Sequence, residues 1–254
     1  MSSVGGRNGI RLSIPDSRVL ITNMAEKNFV VISLGGSLIV PEGIDKAFLE
    51  QFKRLILKWV RRGKRFFIVA GGGRTTRNYQ QAARETGVKD GTSLDQIGIY
   101  TTYINAELVR SMFGKAAHPE IIKDYSKKMI ASAKIVVGSG WKPGCSTDFD
   151  AVLAAKKCGA KQVINLSNIK YIYDKDPKTH PEAQPIESMT FAELLKITGK
   201  VWYPGANTPF DPKAAQLACK SDMTVLIANG GDLENLDSLL ADEPFCGTVV
   251  CRKN

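Results

Sequence analysis

The run F-V-V-I-S-L-G-G-S at residues 29–37 decides the architecture. Phe29 to Leu34 is a continuous β-prone stretch that reads as a buried strand, and Gly35-Gly36-Ser37 ends it in a tight turn. Beyond Pro41, the apolar residues Phe48, Phe52, Leu55, Ile56 and Trp59 recur at helical spacing. The unit is strand, glycine turn, helix. It repeats with a second buried strand at Arg65 to Ala70, a second turn at Gly71-Gly72-Gly73, and a helix from Arg74 through Tyr79 and Ala83. Strands alternating with helices predict an α/β fold with a parallel sheet and helices on both faces. Further strands are expected at Lys134–Val137, Gln162–Leu166 and Thr224–Ala228, helices at Phe149–Cys158 and Lys213–Lys220, and a closing strand at Phe245–Cys251. Tyr173 to Pro185, with three prolines beside Asp174 and Asp176, reads as a surface loop dividing two halves.

The whole chain supports one compact unit. Its 254 residues are 43% hydrophobic and 24% charged, enough for a sizeable core, which excludes the disordered and fibrous classes. No apolar run approaches the roughly 18 residues of a membrane span. The first 27 residues, with Arg7, Arg11 and Arg18 among Ser and Gly, lack the apolar stretch of a secretory signal and read as a mobile or loosely docked extension, so the fold starts near Phe29. Cys145, Cys158, Cys219, Cys246 and Cys251 form no C-x-x-C, which argues against a disulfide framework and a zinc site and suits a reduced cytoplasm. His118 and His180 each precede a proline and read as turn residues, so no metal cage is expected. Lys and Arg exceed Asp and Glu for a net charge of +10, which suits an anionic partner. The cations are spread along the chain, with short clusters only at Arg61–Arg65 and Lys127–Lys128, and no aromatic-interleaved basic motif appears. Small anions are therefore expected as partners, and neither nucleic acid nor membrane.

In parallel α/β sheets, ligands gather at the carboxyl ends of the strands, where glycine turns let amides and helix N-termini face a negative group. The turns at 35–37 and 71–73 lie about one βα unit apart, so their strands can be neighbours and both can open onto one crevice. Neither matches G-x-x-x-x-G-K-[ST] or G-x-G-x-x-G, and tight packing alone would also explain the glycines. Arg77, just inside the following helix, is placed to reach back to a phosphate, whereas Arg74 reads as a solvated helix residue. W-K-P-G-C-S-T-D at 141–148 follows a strand and can line a ligand, although Ser146, Thr147 and Asp148 are also candidate caps of the next helix.

Taken in order, S-L-G-G-S at 33–37, G-G-G-R-T-T-R at 71–77, D-Q-I-G-I at 95–99, P-G-C-S-T-D at 143–148, L-S-N-I-K-Y-I-Y-D-K-D-P at 166–177 and F-D-P-K-A-A at 210–215 resemble the amino acid kinase superfamily, most closely the archaeal-type uridylate kinases, from about Phe29 to the C-terminus. The resemblance implies a single domain over 28–254, a three-layer α/β/α sandwich whose N-terminal half holds UMP and whose C-terminal half holds ATP. It implies UMP contacts from Gly72, Asp95, Trp141, Lys142, Pro143, Gly144, Cys145, Ser146 and Thr147. It implies ATP contacts from Gly36, Ser37, Gly73, Arg77, Ser167, Asn168, Tyr173 and Asp176, with Mg²⁺ carried on the nucleotide. The blander reading makes Tyr173 core, Asp176 the start of an Asp-Pro turn and Asn168 a loop cap.

Departures accompany the matches. Ser33 stands where many superfamily members carry a lysine, Lys170 replaces a familiar acidic residue, and Tyr171 replaces a glycine. Phosphoryl transfer asks chiefly for alignment and positive charge, which can come from new positions. Lys213 sits where several members place a catalytic lysine, and with Arg77 and Lys170 it completes the implied catalytic set, although Lys170 reads equally as a solvated surface lysine. The expected activity is transfer of the γ-phosphoryl group of ATP to UMP, in a homo-oligomer, commonly a hexamer in this family. Rival readings are a superfamily kinase for another phosphate, carboxylate or carbamate acceptor, and a nucleotide-binding regulator or storage protein without turnover.

Overall fold

The computed structural model describes residues 29–127, 132–201 and 208–252, so the extension at 1–27 lies outside the described residues. Strands β1 (Phe29–Leu34), β2 (Arg65–Ala70), β3 (Ile135–Gly138), β4 (Gln162–Ser167), β7 (Ser188–Thr190), β8 (Thr224–Asn229) and β9 (Thr248–Cys251) form a seven-stranded sheet in the order β3-β2-β1-β4-β8-β9-β7. The pairings are parallel except β8 with β9. The glycine turns therefore end adjacent strands, Leu34 pairing with Ala70.

All of β1 is buried because helices cover both of its faces. Val30, Ile32 and Leu34 join one apolar cluster with α2 (Lys46–Arg61), α4 (Gly91–Met112) and α8 (Leu233–Leu240). Phe29 and Val31 join the other with α5 (Thr147–Cys158), α6 (Phe191–Thr198) and α7 (Pro212–Lys220). The expected three-layer α/β/α sandwich is what this period-two division builds. A short helix, α1 (Gly36–Ile39), follows the first turn, and α3 (Gly73–Glu85) follows the second.

Three expectations shift. The closing strand begins at Thr248 rather than Phe245, because the Asn235 side chain holds Cys246 by its amide and carbonyl and keeps that backbone out of the ladder. The segment from Tyr173 to Pro185 is not wholly loop. β5 (Ile172–Tyr173) and β6 (Pro185–Ile186) pair antiparallel, and Asp174 and Gln184 close the hairpin through two hydrogen bonds. The 22-residue α4 has no counterpart in the sequence reading. Its buried face interleaves Asp95, Thr101, Thr102 and Asn105 with Leu94, Ile99, Ala106 and Val109, and Thr101 and Thr102 turn their hydroxyls onto carbonyls of their own helix.

Candidate active site

The carboxyl ends of β1 to β4 open on one crevice. Gly36 backs directly onto the second glycine turn: a Cβ there would come within 2.6 Å of the carbonyl carbons of Gly71 and Gly72. Gly73 has φ +63° and starts α3, whose first-turn amides have no acceptor within the helix and whose positive end faces the crevice. From behind, Asn105 of α4 donates to the carbonyls of Gly71 (2.8 Å) and Gly72 (3.0 Å). Two turns separated by a helix in sequence thus form one surface that can take a phosphate group. Close packing and an anion cradle are both served by the same glycines.

The loop after β3 is held residue by residue. Trp141 donates its amide to Asp150 (3.1 Å), and Lys142 carries its ammonium 4.1 Å from the Trp141 ring centroid, leaving Pro143 exposed. Gly144, at φ +83°, donates its amide to Asp95 Oδ2 at 2.5 Å and accepts from Lys213 Nζ at 2.9 Å. Burial pushes the Cys145 thiol up to about 11, so it is no nucleophile at neutral pH. Ser146 caps α5 by accepting from the Phe149 amide at 3.2 Å, and its hydroxyl also bonds Asp211, so Thr147 is the first helical residue. Asp211 caps α7 through the Lys213 amide at 2.6 Å, which aims that helix and its lysine at the loop.

The structure brings Gly36, Gly72 and Gly73 together, and separately links Asp95, Gly144, Lys213 and Ser146. Ser37 lies in α1, and a Cβ on Gly35 would sit 3.4 Å from Ser167 Cα, which places Ser167 beside the first turn. Arg77 is exposed on α3 and near enough to Glu42 to help Arg74 lower that carboxyl's pKa, while Arg74 is ion-paired with Glu42. Asn168 is exposed, and Tyr173 is half-buried, edge-on to Tyr171 at 6.4 Å, rather than core. Lys170 is exposed, with its ammonium 5.9 Å from the Tyr171 ring centroid. Asp176 is an exposed turn residue that accepts from the Lys178 amide at 2.9 Å, and its carbonyl takes the amides of Thr179 and His180.

Asp148, one of three candidate caps in the sequence, is not a cap. It accepts from Ser33 Oγ (2.8 Å), Asn165 Nδ2 (2.7 Å) and the Asp211 amide (3.3 Å), joining β1, β4 and α7 under the crevice. The sequence carries the signal: S-T-D offers several short polar side chains, and only the first can occupy the cap. Burial pushes Asp148 up to about 6, with nearby Asp211 adding to the rise, and burial likewise raises Asp95, Asp150 and Asp211. Asp150 is fully buried, its Oδ1 has no partner among the described residues, and burial disfavours its charged form. The crevice thus raises several carboxyls by burial and sets the Lys213 side chain over the Gly144 carbonyl, a balance that favours anionic ligands. No group of three or more His, Cys, Asp or Glu that could hold a metal occurs among the described residues.

Because the folded pKa of Asp148 lies above its unfolded value, its contribution to stability is complete below about pH 4 and is lost as pH rises through about 6. Solvent still reaches part of the residue although its carboxyl is closely packed, so the loss is put at about 2 kcal/mol. Urea melts of the native chain and Asp148→Asn across this range should diverge by that amount, the native chain losing ground as pH rises. Parallel curves would refute the assignment.

The amino acid kinase family model matches residues 28–229. A uridylate kinase of Methanoregula boonei is 37% identical over 214 residues, covering 83% of this chain and 90% of that protein. One from Methanobrevibacter smithii is 35% identical over 227 residues, covering 88% and 99%. The crystal structure of uridylate kinase from Archaeoglobus fulgidus matches with a TM-score of 0.75 at 30% identity, over 88% of this chain and 100% of that one. With a family match over most of its length, and with the glycine turns paired as their spacing in the sequence predicts, this chain belongs to the amino acid kinase family.

Proposed function

We propose that this chain transfers the γ-phosphoryl group of ATP to UMP, giving UDP and ADP, a step of pyrimidine nucleotide synthesis. The observation that carries the reading is the Gly144 peptide, which joins Asp95 on the acceptor side to the Lys213 ammonium, in a chain matched along nearly the full length of uridylate kinases.

In this reading Gly72, Asp95 and the loop Trp141 to Thr147 bind UMP. Gly36, Ser37, Gly73, Arg77, Ser167, Asn168, Tyr173 and Asp176 bind ATP. The glycine-turn amides and the α3 N-terminus hold the transferring phosphoryl oxygens, and Lys213, Arg77 and Lys170 supply positive charge as that group passes between donor and acceptor. The residues fit such a group because the turns have no side chains to fill the space and Lys213 lies over the loop. Mg²⁺ on the nucleotide would add charge neutralisation at the β- and γ-phosphates. Ser33 cannot contribute a cation; it bonds Asp148 instead, so the lysine borne by many family members at this position is replaced by a hydrogen bond that supports the floor of the site. Tyr79, Tyr100 and Ile104 are 62%, 59% and 64% exposed on α3 and α4, a face that self-association would cover. We assign the expected homo-oligomer to it. Among the described residues no helix is long and apolar enough to cross a membrane.

A coupled ADP-release assay with Mg·ATP tests the reading across UMP, other nucleoside monophosphates and small phosphate, carboxylate and carbamate acceptors. UMP should be turned over at least about tenfold faster in kcat/KM than any other acceptor. A better non-nucleotide acceptor would leave the family and remove the substrate assignment. ATP binding without turnover of any acceptor would favour a regulator or storage protein.

A further inference from the structure

The charge excess of +10 is not explained by the crevice, and the fold gathers much of it elsewhere. Strands β1, β2, β3, β4 and β8 begin at the end of the sheet opposite the glycine turns, roughly 20 Å away for a six-residue strand. Phe29 pairs with Arg65, Phe66 with Ile135, and Gln162 with Thr224. Lys134 and Lys161 therefore flank the starts of β3 and β4, three strand spacings apart at the same end of the sheet. Val250 of antiparallel β9 pairs with Val225, which brings Arg252 to the same end. Helices α2, α5 and α7 descend to it and finish in Arg61, Lys156 and Lys157, and Lys220.

Cations in the last turn of a helix are accounted for by the helix dipole. Lys134, Lys161 and Arg252 are not: strand ends carry little dipole, all three are exposed, and none makes an ion pair with a described residue. Lys156, Lys161 and Lys220 line one shallow cavity of about 220 Å³. Nearby, Asp237 and Asp242 are already engaged by Lys58 and Lys64, and Asp124 lies near Lys127 and Lys157, leaving Asp222, Glu243 and, in the helix turn that follows the Thr190–Cys251 pair, Glu193 as the opposing charge. The surface is basic well beyond the needs of its helix ends.

We propose that this end of the sheet is a docking surface for double-stranded nucleic acid, held through its phosphate backbone. From Lys134 beside β3 to Arg252 after β9 is five strand spacings, about 24 Å, a span that meets many phosphates at one charge per ~1.7 Å of duplex axis. The large exposed apolar residues among those described are Ile44, Tyr79, Tyr100, Ile104, Ile197 and Val201. None lies here, so the described residues of this end show no apolar centre of a protein interface, no insertion face of a membrane binder and no stacking platform of a single-strand binder. Among the described residues no element projects to enter a groove, so binding is set by charge and not by sequence.

The test is fluorescence anisotropy with a labelled DNA duplex of about 20 base pairs, titrated over salt from about 50 mM, in which log affinity should fall with log salt at a slope of about −4. Lys161→Glu/Lys220→Glu should weaken binding at least about 30-fold and flatten the slope by about 2. The matched Arg84→Glu/Lys89→Glu, the same charge change at the exposed α3–α4 tip, should weaken it less than about threefold, because that tip is remote from the surface. Melting temperature and kinase turnover verify that both variants are folded, and Lys134→Gln/Arg252→Gln repeats the comparison if the first does not fold. Equal losses in the two double variants would make binding a matter of net charge and overturn the proposal. So would no binding at low salt, or a preference above about tenfold for single strands or for an RNA duplex over DNA.

Discussion

Gly36→Ala is expected to lower the melting temperature by roughly 10 °C, from about 3 kcal/mol of overpacking, and to reduce kcat/KM at least about 100-fold. The atoms that its Cβ would meet belong to the backbone of Gly71, Gly72 and Gly73, and none is the movable end of a side chain. Relief requires the two turns to separate, and the second turn is held from behind by Asn105 and from below by the Gly71 amide on Leu34 (2.9 Å). The activity loss should exceed what unfolding explains, because a displacement near 1 Å in one turn misaligns the surface the other helps to form. Gly43→Ala is the control: a Cβ at that position would meet nothing within 4 Å, and stability should change by less than about 0.5 kcal/mol. Differential scanning calorimetry and steady-state kinetics on both variants decide the matter. A Gly36→Ala enzyme with native melting temperature and rate would mean that the turns are not in contact.

What is legible in the sequence, and what is not, follows from how each part is built. Strands β1 and β2 with their glycine turns are readable because burial on both faces leaves an uninterrupted apolar run, and because their joint contact requires glycine. Helix α4 is not, since polar residues interrupt its inner face: among the buried Leu94, Ile99, Ala106 and Val109, Asn105 and Asp95 hold the Gly71–Gly72 and Gly144 backbones, and such work blurs the apolar period. Asp148 stands out in the sequence only as one cap among three, because choosing between Ser146, Thr147 and Asp148 needs the position of β1 and β4 above the helix. The basic end of the sheet is invisible for a topological reason. Lys134, Lys161, Lys220 and Arg252 are far apart in the chain and share one end of the sheet only because β3 and β4 start there, α7 finishes there and antiparallel β9 ends there.

Lys213→Ala is expected to reduce kcat by about 100- to 1,000-fold, the scale for removing one preorganised charge aimed at a transition state. The more informative result concerns Asp95. Its carboxylate receives the Gly144 amide at 2.5 Å, and polarisation of that peptide makes the Gly144 carbonyl a stronger acceptor for the Lys213 ammonium at 2.9 Å. Asp95→Ala should therefore cost about tenfold in kcat beyond any rise in KM for UMP, since it loosens the lysine as well as the acceptor site. In a Lys213→Ala background the kcat part should fall below about threefold, whereas the KM part should persist, because only the former passes through the lysine. The four enzymes form a double-mutant cycle read in kcat and KM separately. Additive losses in kcat would show that Asp95 serves the acceptor alone and that the Gly144 bridge has no part in placing the cation.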